Sequence, residues 1–211
     1  MKIIPIVEGD GEIEAAPLLL RRFIALCNRY ELTIGKAIKR KRSQLVSKEG
    51  LATAIQLAKL DPDCGAILIL FDADDDCPRV LAPVITAWAK EASLEIPCEI
   101  VIANREYEAW FLSAINSLKG HCSITADALR PGSPETIRGA KEKLESFMPR
   151  NRGYTEKLDQ PTLTAHFSLK EAFVVARSFR RMVRAFGLLA ANLLGDLEKW
   201  PPEDWTAEID G

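Results

Sequence analysis

The chain has 211 residues, of which 47% are hydrophobic and 27% are charged, and its formal net charge at pH 7 is −2. This is the composition of an ordinary globular protein, long enough for one substantial α/β domain or one domain with a small appendage, and its near-neutral charge excludes a general attraction to nucleic acid or membranes. No apolar run approaches the roughly 18 residues that a membrane span needs, and the chain starts without a signal-peptide pattern, so we expect a cytoplasmic protein with no membrane contact.

Predicted strands and helices alternate through the first half of the chain. Continuous apolar runs without polar alternation are typical of strands that are buried on both faces of a parallel sheet. Strands are predicted at residues 3–7, 32–38, 66–71 and 98–103, and helices at 14–30, 51–60 and 80–92. This order predicts an α/β fold with a mostly parallel four-stranded sheet and helices on both faces.

Beyond residue 104 no further strand is predicted. Helices are predicted at 106–118, at 133–147 and at 168–197 with a break near Gly187, and residues 151–164 have the polar character of a connection. The predicted organisation is an α/β domain at 1–118, a helical C-terminal region at 119–200 packed on it, and a loose tail at 201–211.

Acidic residues follow the first and third predicted strands. Glu8 and Glu12 lie in the sequence EGDGE after the first strand, and Asp72 and Asp74 lie in DADDD after the third. Parallel strands end at one edge of a sheet, so Glu8 and Asp72 face each other if the strand order is 2-1-3-4, as in flavodoxin-like folds. On an extended backbone Asp72 and Asp74 would point the same way. Such carboxylates need a compensating cation such as Mg²⁺, although any single acid in these turns can equally be a helix cap.

Two more acids, Glu106 and Glu108, follow the fourth predicted strand. They can complete a second metal site at the same edge, or they can be first-turn acids that match the helix dipole, and the sequence favours neither. The five cysteines contain no C-x-x-C pair, so neither a disulfide framework nor a zinc site is predicted. The predicted metal ligands are therefore all carboxylates: Glu8, Glu12, Asp72, Asp74, Glu106 and Glu108.

The pattern of a glutamate after the first strand and Asp-x-Asp after the third resembles the Toprim domain of topoisomerases, primases and a group of nucleases. The pair Glu8-x-x-x-Glu12 resembles the paired glutamates of the OLD-type Toprim nucleases. Three downstream segments resemble a family of stand-alone Toprim-like bacterial proteins of uncharacterised function, often encoded near ATPases in defence loci. These segments are NREYEAWFL, SPETIRGAKEKL and LDQPTLTAHFSLKEAFVVARSFRRMV.

This resemblance implies a Toprim/Rossmann-like domain that catalyses metal-dependent phosphoryl transfer on nucleic acid, as a nuclease in a bacterial defence system. DNA is the first candidate substrate and RNA the second, and Mg²⁺ or Mn²⁺ would be the cofactor. Glu8, Asp72 and Asp74 match the family pattern as catalytic residues. OLD-type nucleases also use a lysine near the phosphate, for which Lys141 is the first candidate and Lys157 the second, the alternative being a solvated surface lysine.

Two basic segments can contact the phosphates of a nucleic acid. One is KAIKRKR at residues 36–42, and the other is the group of arginines at 177, 180, 181 and 184. The alternatives are protection of an edge strand against aggregation and an ordinary solvated helix face.

The chain contains no G-x-x-x-x-G-K-[ST] sequence, the phosphate-binding loop of many ATPases. The related OLD-type nucleases carry an ATPase domain on the same chain, so we expect an ATPase partner encoded nearby. The alternative function is a catalytically weak subunit that binds its partner in an ATPase-containing complex.

Overall fold

The computed structural model describes residues 1–207 and residue 209. Within them lies a five-stranded sheet whose pairings are all parallel. In chain order we number its strands β1 to β5, and they are arranged as β2-β1-β4-β5, with β3 paired to the end of β1 that β2 leaves unpaired. The strands are β1 (Lys2–Val7), β2 (Thr33–Ile34), β3 (Ile38–Lys39), β4 (Cys64–Asp72) and β5 (Cys98–Ala103). The predicted mostly parallel α/β fold is confirmed, and the first and third predicted strands are neighbours.

One predicted strand, at 32–38, forms two short strands instead. β2 pairs with the start of β1 and β3 pairs with its end. Between them the backbone of Gly35 passes so close to β1 that a Cβ atom there would lie 2.2 Å from Ile4 Cδ1. The sheet therefore has five strands rather than four.

Helices cover both faces of the sheet in the first half of the chain. Successive side chains of a strand point to opposite faces, and in β4 both sets are buried: Ile67, Ile69 and Phe71 pack with α3 and α4, whereas Leu68 and Leu70 pack on the side of α1. These helices are α1 (Glu12–Cys27), α2 (Arg42–Leu45), α3 (Lys48–Ala58) and α4 (Pro78–Ser93).

The second half is helical and packs on the α1 side of the sheet. Its helices are α5 (Glu108–Ser113), α6 (Ile115–Leu118), α7 (Ala140–Glu145), α8 (Glu156–His166), α9 (Leu169–Val175), α10 (Arg177–Leu194) and α11 (Glu203–Thr206), with a short 3-10 turn at Pro134–Thr136. The rings of Phe179 and Phe186 in α10 pack against Phe23 in α1, with centroids 6.1 and 5.3 Å away. The domain boundary at residue 118 stays a prediction.

Several predicted helix boundaries in this half are wrong. The helix predicted at 106–118 is divided between α5 and α6, and the one predicted at 133–147 contains only the 3-10 turn and α7. The last long helix breaks at Ala176 and not near Gly187, which lies inside α10. A Cβ atom at Gly187 would lie 2.4 Å from the Trp200 ring, so this glycine permits close packing.

The predicted polar connection at 151–164 is also wrong, because α8 occupies most of it. This helix buries Asp159, Gln160 and Thr164 beside one apolar side chain, Leu163, so the sequence lacks an apolar helical stripe. Polar groups inside a fold need partners there, and those of α8 find them in Arg152, Tyr107 and Glu108.

The predicted loose tail begins with an ordered helix. Trp205 in α11 is buried and its ring centroid lies 5.4 Å from that of Phe173. The rest of the prediction, for residues 208, 210 and 211, falls outside the described residues. No described helix combines the length and the apolar character needed to cross a membrane.

Candidate functional site

The turn after β1 buries one of its two glutamates. Glu12 begins α1, and its Oε2 accepts hydrogen bonds from the backbone N–H groups of Glu8 and Gly9, both at 3.0 Å. Its side chain is only 3% exposed. Glu8 follows β1 directly and is half-buried, and its own Oε2 has no partner among the described residues. Glu12 therefore holds the turn, whereas Glu8 keeps an oxygen free.

The two aspartates after β4 lie in different environments. Asp72 ends the strand, and its Oδ1 accepts a hydrogen bond of 2.9 Å from the backbone N–H of Tyr107. Asp74 has a left-handed backbone with φ of +50°, and its exposed carboxylate lies 3.3 Å from Nε of Arg42. The backbone N–H of Ala73 still donates to the carbonyl of Ala103 (2.9 Å), and the chain turns at Asp74, so the extended backbone expected across both aspartates ends before Asp74.

Glu8 and Asp72 leave neighbouring strands at the same edge of the sheet. The register of β1 and β4 places Val7 beside Leu70, so both strands end at nearly the same level. Burial and the charge of Asp74 raise the pKa of Glu8, while the charge of Arg42 and the backbone N–H of Asp72 oppose that rise. For Asp72, burial is the largest cause of a raised pKa, and the charge of Glu8 adds the smallest contribution to it. A shared metal site of Glu8 and Asp72 stays a prediction.

The two acids after β5 have separate tasks. Glu106 accepts hydrogen bonds from the backbone N–H groups of Gly139 (3.1 Å) and Lys141 (3.0 Å), one with each carboxylate oxygen, at the start of α7. Glu108 is completely buried, and its Oε1 accepts hydrogen bonds from the Tyr154 hydroxyl (2.7 Å) and from Nε2 of Gln160 (3.3 Å). Glu106 is therefore a cap for α7, whereas the charge of Glu108 adds to the rise that burial causes in the pKa of Glu12 and of Asp72.

Lys141 lies close enough to Glu108, Glu156 and Asp72 for their charges to act on it. Its Nζ is 2.5 Å from Oε1 of Glu156 in α8. Burial alone would lower the pKa of this half-buried lysine, but the charges of Glu108, Glu156 and Asp72 outweigh burial and raise it. Lys157, the second candidate, is exposed, and its charge acts on Asp10. The geometry thus favours Lys141 as the cation of the site.

The buried acids share a strong tendency to bind protons. Burial raises the pKa of Glu12 and that of Glu108 to about 7 each, against the opposing effect of their hydrogen bonds. Burial, followed by the charges of Glu12 and Glu108, raises the pKa of Asp72 well above its ordinary value. We call the buried Glu12 and Glu108 together with the half-buried Asp72 the buried acid cluster. The charge of Lys141 opposes the rise in the pKa of Asp72 and of Glu108 but does not cancel it.

Oxygen atoms beside the cluster lack partners. Oε2 of Glu8, Oε2 of Glu108 and Oε1 of Gln160 are buried and have no hydrogen bond among the described residues. Buried oxygens without partners are costly, and Mg²⁺ or Mn²⁺ takes just such oxygen ligands. In residues 1–207 and 209, no three His, Cys, Asp or Glu side chains stand in a ready metal-binding arrangement. The donor chemistry therefore fits a hard divalent ion, and binding it would require the carboxylates to move closer together.

Sequence reasoning missed three site residues that lie in α8 or shortly before it. Tyr154, Glu156 and Gln160 supply contacts to Glu108 and Lys141. The signal for them was weak, because inward-facing polar side chains look like those of a polar loop.

Arg42, at the start of α2, has contacts that the sequence did not predict. Its guanidinium donates hydrogen bonds to the backbone carbonyls of Asp72 (2.9 Å) and Ala73 (3.1 Å). It also pairs with the carboxylates of Asp74 and Asp76. This member of the predicted phosphate-binding segment 36–42 instead binds the protein's own acidic loop and fixes its shape.

We expect the substitution Gly11→Ala to destabilise the protein and to disturb the site. A Cβ atom at Gly11 would lie 2.3 Å from Oε1 of Gln160 and 2.6 Å from the backbone oxygen of Glu156, so α8 would have to move. Overpacking of this kind costs about 1–3 kcal/mol, which lowers the melting temperature by several degrees. Thermal unfolding followed by circular dichroism measures it, with Gly132→Ala as control because its Cβ would meet nothing within 4 Å. Equal melting temperatures for the two variants would contradict the close approach.

The sequence model of one protein family, described as a domain of unknown function (DUF4276), matches residues 7–186. This match includes the buried acid cluster, Lys141 and α8. No curated protein and no solved structure matches the chain.

Proposed function

Because the chain belongs to the DUF4276 family, whose description names no activity, we propose its function from the site: divalent-metal-dependent phosphoryl transfer on nucleic acid, as a phosphodiester-cleaving nuclease. The observation that carries this proposal is the buried acid cluster beside Lys141 at the carboxyl edge of a parallel sheet. Active sites of open α/β sheets gather at this edge. Burial of several acids is costly, and a function that uses their charge explains it.

Each residue of the site has a role in this proposal. Glu8 and Asp72 would hold Mg²⁺ or Mn²⁺, with Glu12 and Glu108 next to them. The bound ion would neutralise charge on the phosphate during an in-line displacement. Lys141 stays protonated because carboxylates surround it, and it would bind a phosphate oxygen. We leave Glu106 out of the proposed ligands, since both of its oxygens accept N–H groups of α7.

Asp74 stays a proposed metal ligand, but it is less well placed for this role than Glu8 and Asp72. Its carboxylate faces solvent and Arg42, so it can reach an ion only if that ion pair opens. DNA remains the first candidate substrate and RNA the second, and a nucleic-acid substrate agrees with the proposed cytoplasmic location.

A cleavage assay with the purified chain tests the proposal. The substrates are supercoiled plasmid, single-stranded DNA and RNA, each incubated with Mn²⁺, with Mg²⁺ or with EDTA. We expect cleavage with Mn²⁺ or Mg²⁺ and none with EDTA. Cleavage that persists in EDTA, or no cleavage together with no binding of Mn²⁺ measured by electron paramagnetic resonance of the free ion, would overturn the proposal.

A second candidate function is a catalytically weak subunit of an ATPase-containing complex in a defence system. The observation that favours it is that Glu12 and Asp72 already accept backbone hydrogen bonds, so the turns are held without a metal. In this case the chain should copurify with the product of a neighbouring ATPase gene and cleave only when that ATPase and ATP are present. Robust cleavage by the isolated chain without nucleotide would exclude the dependence on a partner.

A further inference from the structure

A groove of about 690 Å³ runs across the open edge of β5, between the beginnings of α4 and α10. β5 is the last strand of the sheet, with β4 as its one neighbour among the described strands. Ile100 and Ile102 of β5 lie at the bottom of the groove but are almost completely buried, and its more accessible apolar residues are Pro78 and Ala82 at the start of α4. Along its sides stand Arg79, Arg105, Arg177 and Arg181. The volume lies within the roughly 300–1,000 Å³ of small-ligand sites.

The free charge of this groove is positive. Arg79 and Arg177 are exposed, and within residues 1–207 and 209 neither guanidinium makes a hydrogen bond or an ion pair. The carboxylates that line the groove are engaged: Asp75 by Arg105, Asp76 by Arg42, and Glu135 by the backbone N–H groups of residues 177 and 178.

The arginines of α10 make different kinds of contact. Arg180 donates its hydrogen bonds to the backbone carbonyls of Phe173 and Val174, so it supports the end of α9. Arg177 and Arg181 line the groove, although Arg181 also pairs with Glu99. The predicted basic helix face is thus in part an internal support and in part a wall of this groove.

The groove adjoins a smaller hollow near the candidate site. Asp75 and Arg105 line both the groove and this hollow, whose volume is about 210 Å³. That hollow is also lined by Asp74, Glu106 and Gly139, which neighbour the candidate site. The groove and the hollow therefore meet at Asp75 and Arg105, and a strand would have to pass this ion pair to reach the carboxylates of Asp74 and Glu106.

We propose that this groove binds a single strand of nucleic acid and guides it to the buried acid cluster. The inference rests on the proposed function and adds the form of the substrate. Arginines on the sides fit phosphates, and the apolar wall formed by Pro78 and Ala82 can contact bases only where they are not paired with a second strand. A duplex would present its phosphates but would keep its bases away from this wall.

Binding is tested without catalysis, in EDTA, by fluorescence anisotropy of a labelled 20-nucleotide DNA and of the matched duplex. We expect tighter binding of the single strand, and about a tenfold loss of affinity with a smaller salt dependence in the double variant Arg79→Glu, Arg177→Glu. The control is Lys90→Glu, an exposed cation in the last turn of the same α4, which should bind as the unchanged protein does.

A footprint on the unchanged protein makes the test independent of how the variants fold. Cys77 is exposed and lines the groove. We expect the bound oligonucleotide to slow alkylation of Cys77 and to leave that of Cys64, at the opposite end of β4, unchanged. Mass spectrometry of the peptides measures both rates.

Each outcome decides between the two proposals. Equal binding by the double variant and the unchanged protein, or unprotected Cys77, overturns the groove and leaves a nuclease that binds its substrate elsewhere. Protected Cys77 without any metal-dependent cleavage overturns the nuclease and leaves the groove as a nucleic-acid site. If no oligonucleotide binds at all, the groove proposal is wrong, and the open edge of β5 remains for an extended peptide.

Discussion

The variant Asp72→Asn is expected to lose metal-dependent cleavage by about 10²-fold or more while keeping its fold. Asparagine keeps an oxygen that can accept the hydrogen bond from the Tyr107 backbone, but it removes the negative charge that a divalent ion needs. Because burial makes ionisation of Asp72 costly, the neutral amide should leave the metal-free protein at least as stable as before. The two readouts are the cleavage rate with Mn²⁺ and the melting temperature in EDTA.

The matched control is Asp63→Asn, just before the other end of the same strand. Asp63 is exposed and pairs with Lys2 across 3.1 Å, so its loss should change neither readout strongly. Unaltered cleavage by Asp72→Asn would show that the buried acid cluster is not the active site. A collapse of the fold in the same variant would show that the Asp72 charge is needed for structure.

The metal-free protein is expected to lose stability as the pH rises from about 5 to about 7.5. Burial raises the pKa of Glu12 and Glu108 to about 7 in the folded protein, against an ordinary value of 4.5. Between these values the folded state binds more protons than the unfolded state, so the free energy of unfolding falls with pH. Each extra bound proton contributes a slope of about 1.4 kcal/mol per pH unit. Below the window both states are protonated, and above it both are ionised.

Urea unfolding in EDTA at a series of pH values measures this slope. In Glu12→Gln the slope should be smaller, because the amide oxygen can still accept the N–H groups of Glu8 and Gly9 without titrating. Mn²⁺ should stabilise the unchanged protein more at pH 7.5 than at pH 5.5, since protons compete with the ion for the same carboxylates. A stability that rises across this window would contradict the buried acid cluster.

The sequence was sufficient for those parts of the fold that depend on apolar burial. The runs at β1, β4 and β5 predicted a parallel sheet, and the position of Glu8 and Asp72 at its edge followed from the topology. Lys141 was found by resemblance and lies beside the buried acids.

The missed parts depend on polar contacts between residues that are far apart in the sequence. Glu108 meets Tyr154 and Gln160 across 46 and 52 positions, and no local periodicity encodes such pairs. The turn at Asp74 was missed for a similar reason, because its left-handed backbone is held by Arg105 after β5 and by Arg42 at the start of α2.

The hydrogen bonds from Gly139 and Lys141 to Glu106 limit how this protein can be recombined with its relatives. They join the segment after β5 to the start of α7. The hydrogen bonds of Tyr154 and Gln160 to Glu108 likewise join α8, and a residue shortly before it, to α5. A crossover at residue 118 would take the acids from one parent and their hydrogen-bond donors from another. The sheet and the helical region are therefore expected to function only when both come from the same parent. Chimeras joined at residue 118 should accumulate in soluble form only when both parents have the same residues at these hydrogen bonds.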